Sequence, residues 1–195
     1  LDVMPESTRK FLARIYAETW LINTHLLKTT ADLGKILEER GLQVIIIKGA
    51  SLLKTVYHNL ALRPMEDIDL IVRPEHLSGL KTVLDKMGFV QNRIYPGSFK
   101  KGIVSIDIHS DFLSSHRIRS RREILDIRPT DLWDNAIPIR DSNSLYKLSL
   151  NDHLIALSFH LLKHRYNRLI WFVDIAESIK TWQRTLEWQD LIEYS

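Results

Sequence analysis

Asp67 and Asp69 stand two apart in Asp67-Ile68-Asp69-Leu70-Ile71-Val72, and Asp107 stands between two isoleucines in Ser105-Ile106-Asp107-Ile108-His109. A strand sends successive side chains to opposite faces. The first run therefore sets Asp67 and Asp69 against Ile68, Leu70 and Val72. The second sets Ser105, Asp107 and His109 against Ile106 and Ile108. If the two strands are neighbours, three carboxylates converge. Such groups resist ionising together unless a cation is present. Mg²⁺ suits oxygen ligands and accepts one or two carboxylates together with substrate phosphates. Two such ions roughly 3.5–4 Å apart can activate an attacking hydroxyl and stabilise a leaving pyrophosphate. Asp-x-Asp is equally the pattern of solvated acids at a strand edge. Acids are depleted in strands, however, which makes Asp107 among its apolar neighbours the more telling residue.

Upstream, Lys48-Gly49-Ala50-Ser51-Leu52 falls where a β-branched run, Val44-Ile45-Ile46-Ile47, meets a helical pattern. A glycine there permits a tight turn and close backbone approach. A helix N-terminus offers unpaired N–H groups and a positive dipole end to phosphate. Lys48 adds a charge and Ser51 a hydroxyl donor. The run is not a Walker A loop, and a glycine at such a junction is as well explained by the turn alone.

Other residues bear chemistry with less context. Arg63, just ahead of the acidic pair, could meet a triphosphate, orient Asp67 or lie on the surface. His109 shares the face of Asp107 and could touch substrate or support a metal shell. His160 and His164 share one helix face and, with Asp174, could bind metal, but no His-Glu-x-x-His pattern accompanies them. Lys163 could reach phosphates. His116, Arg117, Arg119, Arg121 and Arg122 form the densest basic run. It could bind RNA phosphates, or be a solvated loop; no aromatic interleaving marks a base-stacking platform.

The elements that position these residues follow from periodicity. Apolar residues at Phe11, Leu12, Ile15, Ile22, Leu26, Leu33, Ile36 and Leu37 predict a long helix ending at Gly41. Gln43 to Lys48 reads as a buried strand, Gly49-Ala50-Ser51 as a turn and Leu52 to Leu60 as a helix. Ile68 to Val72 is a strand. Pro74 opens a helix running to about Met87 and Gly88. Phe89 to Ile94 and Ile103 to His109 are strands, with Pro96-Gly97 turning the chain between them. Ala136 to Ile139 is a short strand, and from Asn151 two helices follow. The expected segments are 1–41 helical, 42–145 the core, and 146–195 helical and cut short, since the chain ends inside a helical pattern and does not begin with Met.

Composition sets bounds. The chain has 195 residues, 45% hydrophobic and 26% charged, which fits a globular protein with one sizeable core. It has no cysteine, which excludes disulfide scaffolds, thiolate zinc sites and cysteine nucleophiles. No apolar run approaches the roughly 20 residues that span a bilayer, and no signal layout opens the chain. A soluble cytoplasmic protein is expected. The net charge of +3 is too small to argue for nucleic acid by itself.

The order of these features resembles the nucleotidyltransferases of the DNA polymerase β type. The run Ile47-Lys48-Gly49-Ala50, then Arg63-Pro64-Met65-Glu66-Asp67-Ile68-Asp69-Leu70-Ile71-Val72, then Ile106-Asp107-Ile108-His109 is most similar to an uncharacterised bacterial branch grouped as family five. The similarity is closest over about residues 40–110. It extends more loosely to His160-Leu161-Leu162-Lys163-His164 and Trp171-Phe172-Val173-Asp174.

The resemblance implies an α/β (α+β) fold. A mixed sheet forms the nucleotidyltransferase core with helices on one face, joined by an N-terminal helix and a C-terminal helical segment that closes the cleft. It implies that Asp67 and Asp69 bind two Mg²⁺ (or Mn²⁺) ions, with Asp107 as the third carboxylate. Gly49 and Ser51 would face the triphosphate. By their own positions Lys48 and Arg63 are candidates to assist there, and His109, Lys163 and His164 candidates for the substrate side. The wider superfamily has Gly-Ser where this chain has Gly49-Ala50. The expected activity moves a nucleoside monophosphate from an NTP such as ATP to an acceptor hydroxyl on a small molecule, a protein or RNA, and releases pyrophosphate. Two alternatives are a non-catalytic nucleotide-binding module and a toxin-like enzyme acting on tRNA.

Overall fold

The computed structural model describes residues 4–110 and 129–193, so the basic run at 116–122 lies outside the described residues. Helix α1 spans Glu6–Glu38 and buries one stripe: Thr19, Asn23, Leu26, Thr30, Leu33, Gly34 and Leu37. Their spacing of three and four is what one helix face requires. Gly41 ends the helix in the left-handed region at φ 64°. Its N–H donates to Glu38 O at 3.1 Å, and that of Leu42 to Leu37 O at 2.9 Å. This pairing satisfies two of the helix's last carbonyls.

Strand β1 (Val44–Ile47) is followed at once by α2 (Lys48–Thr55). Next come β2 (Ile68–Val72), a 3-10 turn over Pro74–His76, and α3 (Leu77–Lys86). Strands β3 (Val90–Gln91), β4 (Ser98–Lys101) and β5 (Val104–His109) complete that part. Beyond residue 128 lie α4 (Pro129–Asp134), β6 (Ile137–Pro138), β7 (Leu145–Lys147), α5 (Leu150–Lys163), α6 (Leu169–Trp182) and α7 (Trp188–Glu193).

The strands form one mixed sheet in the order β3-β4-β5-β2-β1-β7-β6. β1 runs antiparallel to β2 and parallel to β7, and β2 runs parallel to β5. Alternation along the central strands splits the core. On one face Val44, Ile46, Ile68, Leu70, Val72 and Ile106 pack against Leu26, Leu33 and Leu37 of α1, Leu53 of α2, and Leu80, Val83 and Leu84 of α3. On the other face Ile45, Ile47 and Ile71 pack against Leu132, Leu148 and Ala156. Each large aliphatic side chain so buried contributes about 1.5–3 kcal/mol. A third cluster ties Leu52 and Val56 to Leu154, Leu157, Trp182 and Leu186, which fixes the C-terminal helices to the core. No helix among the described residues is long and apolar enough to cross a membrane.

Several local expectations change. The helix expected from Leu52 starts four residues earlier, at Lys48. Lys48 takes the left-handed conformation itself, at φ 52°, so the turn is made there and Gly49 falls inside the helix's first turn. The strand expected over Phe89 to Ile94 shrinks to Val90–Gln91. Ser98–Lys101 and Leu145–Lys147 are strands that periodicity missed. β4 turns back into β5 through Gly102, at φ 57°, in addition to the turn at Pro96-Gly97.

Candidate active site

Parallel pairing of β2 with β5 sets Asp69 directly opposite Asp107, within the register Ile68↔Ile106, Asp69↔Asp107, Leu70↔Ile108. Asp67 lies two residues before Asp69, just ahead of β2. Each of the three offers a carboxylate oxygen, and these oxygens lie within 4.8 Å of one another. Asp69 is buried at 5% exposure, whereas Asp67 and Asp107 are half-buried. Asp69 and Asp107 share a face with Ile47 and Ile71, near the start of β2 and within β5.

Their electrostatics differ. Burial pushes Asp67 up to about 6, and the neighbouring Asp69 charge adds to the rise. For Asp69, burial pushes upward, but Lys48 and His109 outweigh it and hold the carboxyl below its ordinary range. Lys48 Nζ lies 2.6 Å and His109 Nε2 2.7 Å from the same oxygen, Asp69 Oδ1.

The loop that delivers Asp67 is held on two sides. From α1, Asn23 Nδ2 donates to Leu60 O at 2.6 Å and Arg63 O at 2.7 Å, and Asn23 Oδ1 accepts from Met65 N at 3.2 Å. From α6, Asp174 receives Arg63 Nη2 at 2.8 Å, Arg63 Nε at 3.3 Å and the Tyr57 hydroxyl at 2.8 Å. Asp174 is fully buried. Burial, followed by the Asp174 charge, raises the Tyr57 phenol above its ordinary range. A Cβ added to Gly49 would overlap Arg63 Nη1, so glycine here makes room for the guanidinium. Nearer the surface, Arg168 Nη1 meets Glu66 Oε1 at 3.0 Å.

These residues enclose a cleft of about 760 Å³. The sheet side carries Asp67, Asp69, Asp107, Lys48, Gly49, Arg63 and His109, and Tyr95, Pro96 and Gly97 form a rim. The opposite wall, from α5 and α6, carries His160, Lys163, His164, Arg168 and Trp171. His160 and Trp171 meet edge to face with ring centroids 4.5 Å apart, and His164 lies 5.0 Å from Trp171. Burial, then the charge of Lys48, pushes His160 down to about 3, and burial also lowers His164.

The structure thus gathers all the expected site residues but one. Ser51 is 1% exposed and absent from the cleft wall, and its Oγ has no hydrogen-bond partner among the described residues. The helix start at Lys48 turns that hydroxyl into the protein. Arg63 proves to be a buried partner of Asp174, not a surface arginine. Asn23 and Tyr57 were overlooked. Asn23 left one trace in the sequence, as a polar residue on the buried stripe of α1.

Oxygen donors this close fit a hard divalent cation, whose charge would offset both the burial and the Asp69 charge that raise Asp67. Residues 1–195 match the model of a family described as uncharacterised nucleotidyltransferase. The chain belongs to that family. Two solved structures share the nucleotidyltransferase chain's fold. One is the solution structure of the antibiotic-resistance factor ANT(2'')-Ia, with a TM-score of 0.60, 10% identity, and coverage of 88% of this chain and 90% of that one. The other is the crystal structure of ANT(2'')-Ia in complex with adenylyl-2''-tobramycin, with a TM-score of 0.57, 11% identity, and coverage of 86% and 93%. No curated protein matches the chain. Family and fold thus agree on a nucleotidyltransferase, and the three aspartates are the group within it that could hold a metal.

Proposed function

We propose that the protein transfers a nucleoside monophosphate from an NTP to an acceptor hydroxyl, with Asp67, Asp69 and Asp107 holding two Mg²⁺ (or Mn²⁺) ions. The observation that carries this is the register of Asp69 opposite Asp107, with the Asp67 carboxylate within 4.8 Å. Divalent ions bound there would make the acceptor hydroxyl a better nucleophile and neutralise charge on the leaving pyrophosphate.

The chain's own residues position the reaction. Lys48 and Gly49 line the cleft at the start of α2, where the helix dipole would favour the triphosphate. Arg63, locked to Asp174, keeps the loop to Asp67 in place. The acceptor oxygen attacks the α-phosphorus in line, the bond from that phosphorus to the bridging oxygen breaks, and pyrophosphate leaves. Asp107 is the base that takes the hydroxyl proton. His109, Lys163 and His164 face the substrates. Most of the acceleration comes from orientation and preorganised charge. Adenylyl-tobramycin, bound by a protein of the same fold, is chemically what such a transfer to a sugar hydroxyl yields.

The test incubates the protein with α-labelled NTPs, Mg²⁺ or Mn²⁺, and candidate acceptors that include small molecules, protein hydroxyls and RNA. Labelled acceptor and pyrophosphate should appear together and vanish in Asp67→Ala/Asp69→Ala. Pyrophosphate release that survives the double substitution would remove the assignment.

A further inference from the structure

Asp69 Oδ1 is fully engaged. Lys48 Nζ lies 2.6 Å from it and His109 Nε2 2.7 Å. A carboxylate oxygen has two lone pairs, and these contacts use both. The Lys48 and Asp69 side chains are only 16% and 6% exposed, so solvent screens the pair weakly. Lys48 leaves the backbone from a left-handed turn at the end of β1, where Ile47 is registered opposite Asp69. The fold therefore aims this ammonium at the central acid.

We propose that Lys48 is the resident counter-ion of the carboxylate site: it competes with the divalent cation for Asp69 Oδ1 and yields that oxygen when nucleotide phosphates enter the cleft and take up the ammonium. This rests on reading the three aspartates as the metal site. A cation arriving alone must displace an ion pair and meet the repulsion of the ammonium. A cation arriving on a triphosphate brings the anion that draws Lys48 away. Cation and nucleotide then each strengthen the binding of the other by the same factor.

The experiment titrates the EDTA-stripped full chain with Mn²⁺, followed by electron paramagnetic resonance. It is run with and without an NTP analogue bearing a methylene bridge between the α and β phosphates. Wild type should bind Mn²⁺ about tenfold more tightly with the analogue than without it. Lys48→Met should bind Mn²⁺ about tenfold more tightly than wild type without nucleotide, and gain less from the analogue than wild type does, what remains being the direct ligation of the ion by phosphate. Lys48→Gln gives the same comparison should the methionine variant not fold. Mn²⁺ affinity equal to or below wild type in the folded variant overturns the proposal. If wild type binds Mn²⁺, loses it in Asp67→Ala/Asp69→Ala, and Lys48→Met is no tighter, the metal site stands and only the role of Lys48 falls. If wild type binds no Mn²⁺ even with the analogue, both fall.

Discussion

Arg63 and Asp174 lie 111 positions apart and meet in a two-pronged ion pair, Nη2 to Oδ2 at 2.8 Å and Nε to Oδ1 at 3.3 Å. The pair joins α6 to the loop that delivers Asp67, and Asp174 is wholly out of solvent. Removing one partner of a buried pair strands the other charge. Asp174→Ala should therefore cost about 3–5 kcal/mol, read by chemical denaturation. It should also lower turnover by loosening the loop. A loss under about 1 kcal/mol would mean the pair does not bind the two parts together.

Gly49→Ala tests the same junction from the other side. The added methyl would overlap Arg63 Nη1 and press on Met65 Sδ. Overpacking of this kind costs about 1–3 kcal/mol. The variant should unfold at lower denaturant than wild type, and pairing it with Arg63→Ala should recover part of the methyl's cost. Additive losses in the double variant would show that Arg63 is not what the methyl meets.

Asp107→Asn keeps the size of the side chain and removes its charge. Turnover should fall by at least about a hundredfold, because base and metal ligand are lost together. The fold should be unaffected, since the substitution keeps the β-strand backbone. Equal activity across a pH series would remove Asp107 from the reaction.

His153 lies buried on α5 against Trp182, with ring centroids 5.4 Å apart, and burial pushes its imidazole down to about 3. The sign follows from that lowering. Below its ordinary value near 6.5 the unfolded chain takes up a proton that the folded chain refuses. Its contribution to stability is thus complete above pH 6.5 and declines as pH falls towards 3, by about 1.4 kcal/mol per unit. Other groups titrate in that window. Asp67, raised to about 6, acts in the opposite sense between roughly pH 4 and 6. The difference between wild type and His153→Leu isolates the histidine. That difference should vary with pH below 6.5 and level off above it; a flat difference would remove the effect.

The acids were legible because a strand's period of two leaves little choice. With Ile68, Leu70 and Val72 committed to the apolar core, Asp67 and Asp69 had to occupy the opposite face. Their partnership with Asp107 rested on a strand pairing that residue order suggests and spacing alone does not fix. Lys48 read as a phosphate ligand because nothing local reveals that its nearest partner is Asp69, reached across β1 and β2. Arg63 was ambiguous for the same reason: its partner depends on where α6 docks. β4 and β7 were missed because Ser98-Phe99-Lys100-Lys101 and Leu145-Tyr146-Lys147 are short and lack the unbroken apolar run that marked β1.

The hairpin beside the acids carries one more consequence. Gly97 accepts the N–H of Ile108 at 2.7 Å, and a Cβ on it would stand 2.8 Å from Ile108 O. That clasp fixes β5 lengthwise one residue past Asp107. Because side chains alternate, a one-residue slip would send Asp107 into the oil of the face packed against α1, α2 and α3 and put an isoleucine in its place. Residues 98–106 therefore behave as a ruler, where the number of amino acids matters as much as their kind. Single insertions or deletions there should abolish the three-acid arrangement even when every aspartate is retained.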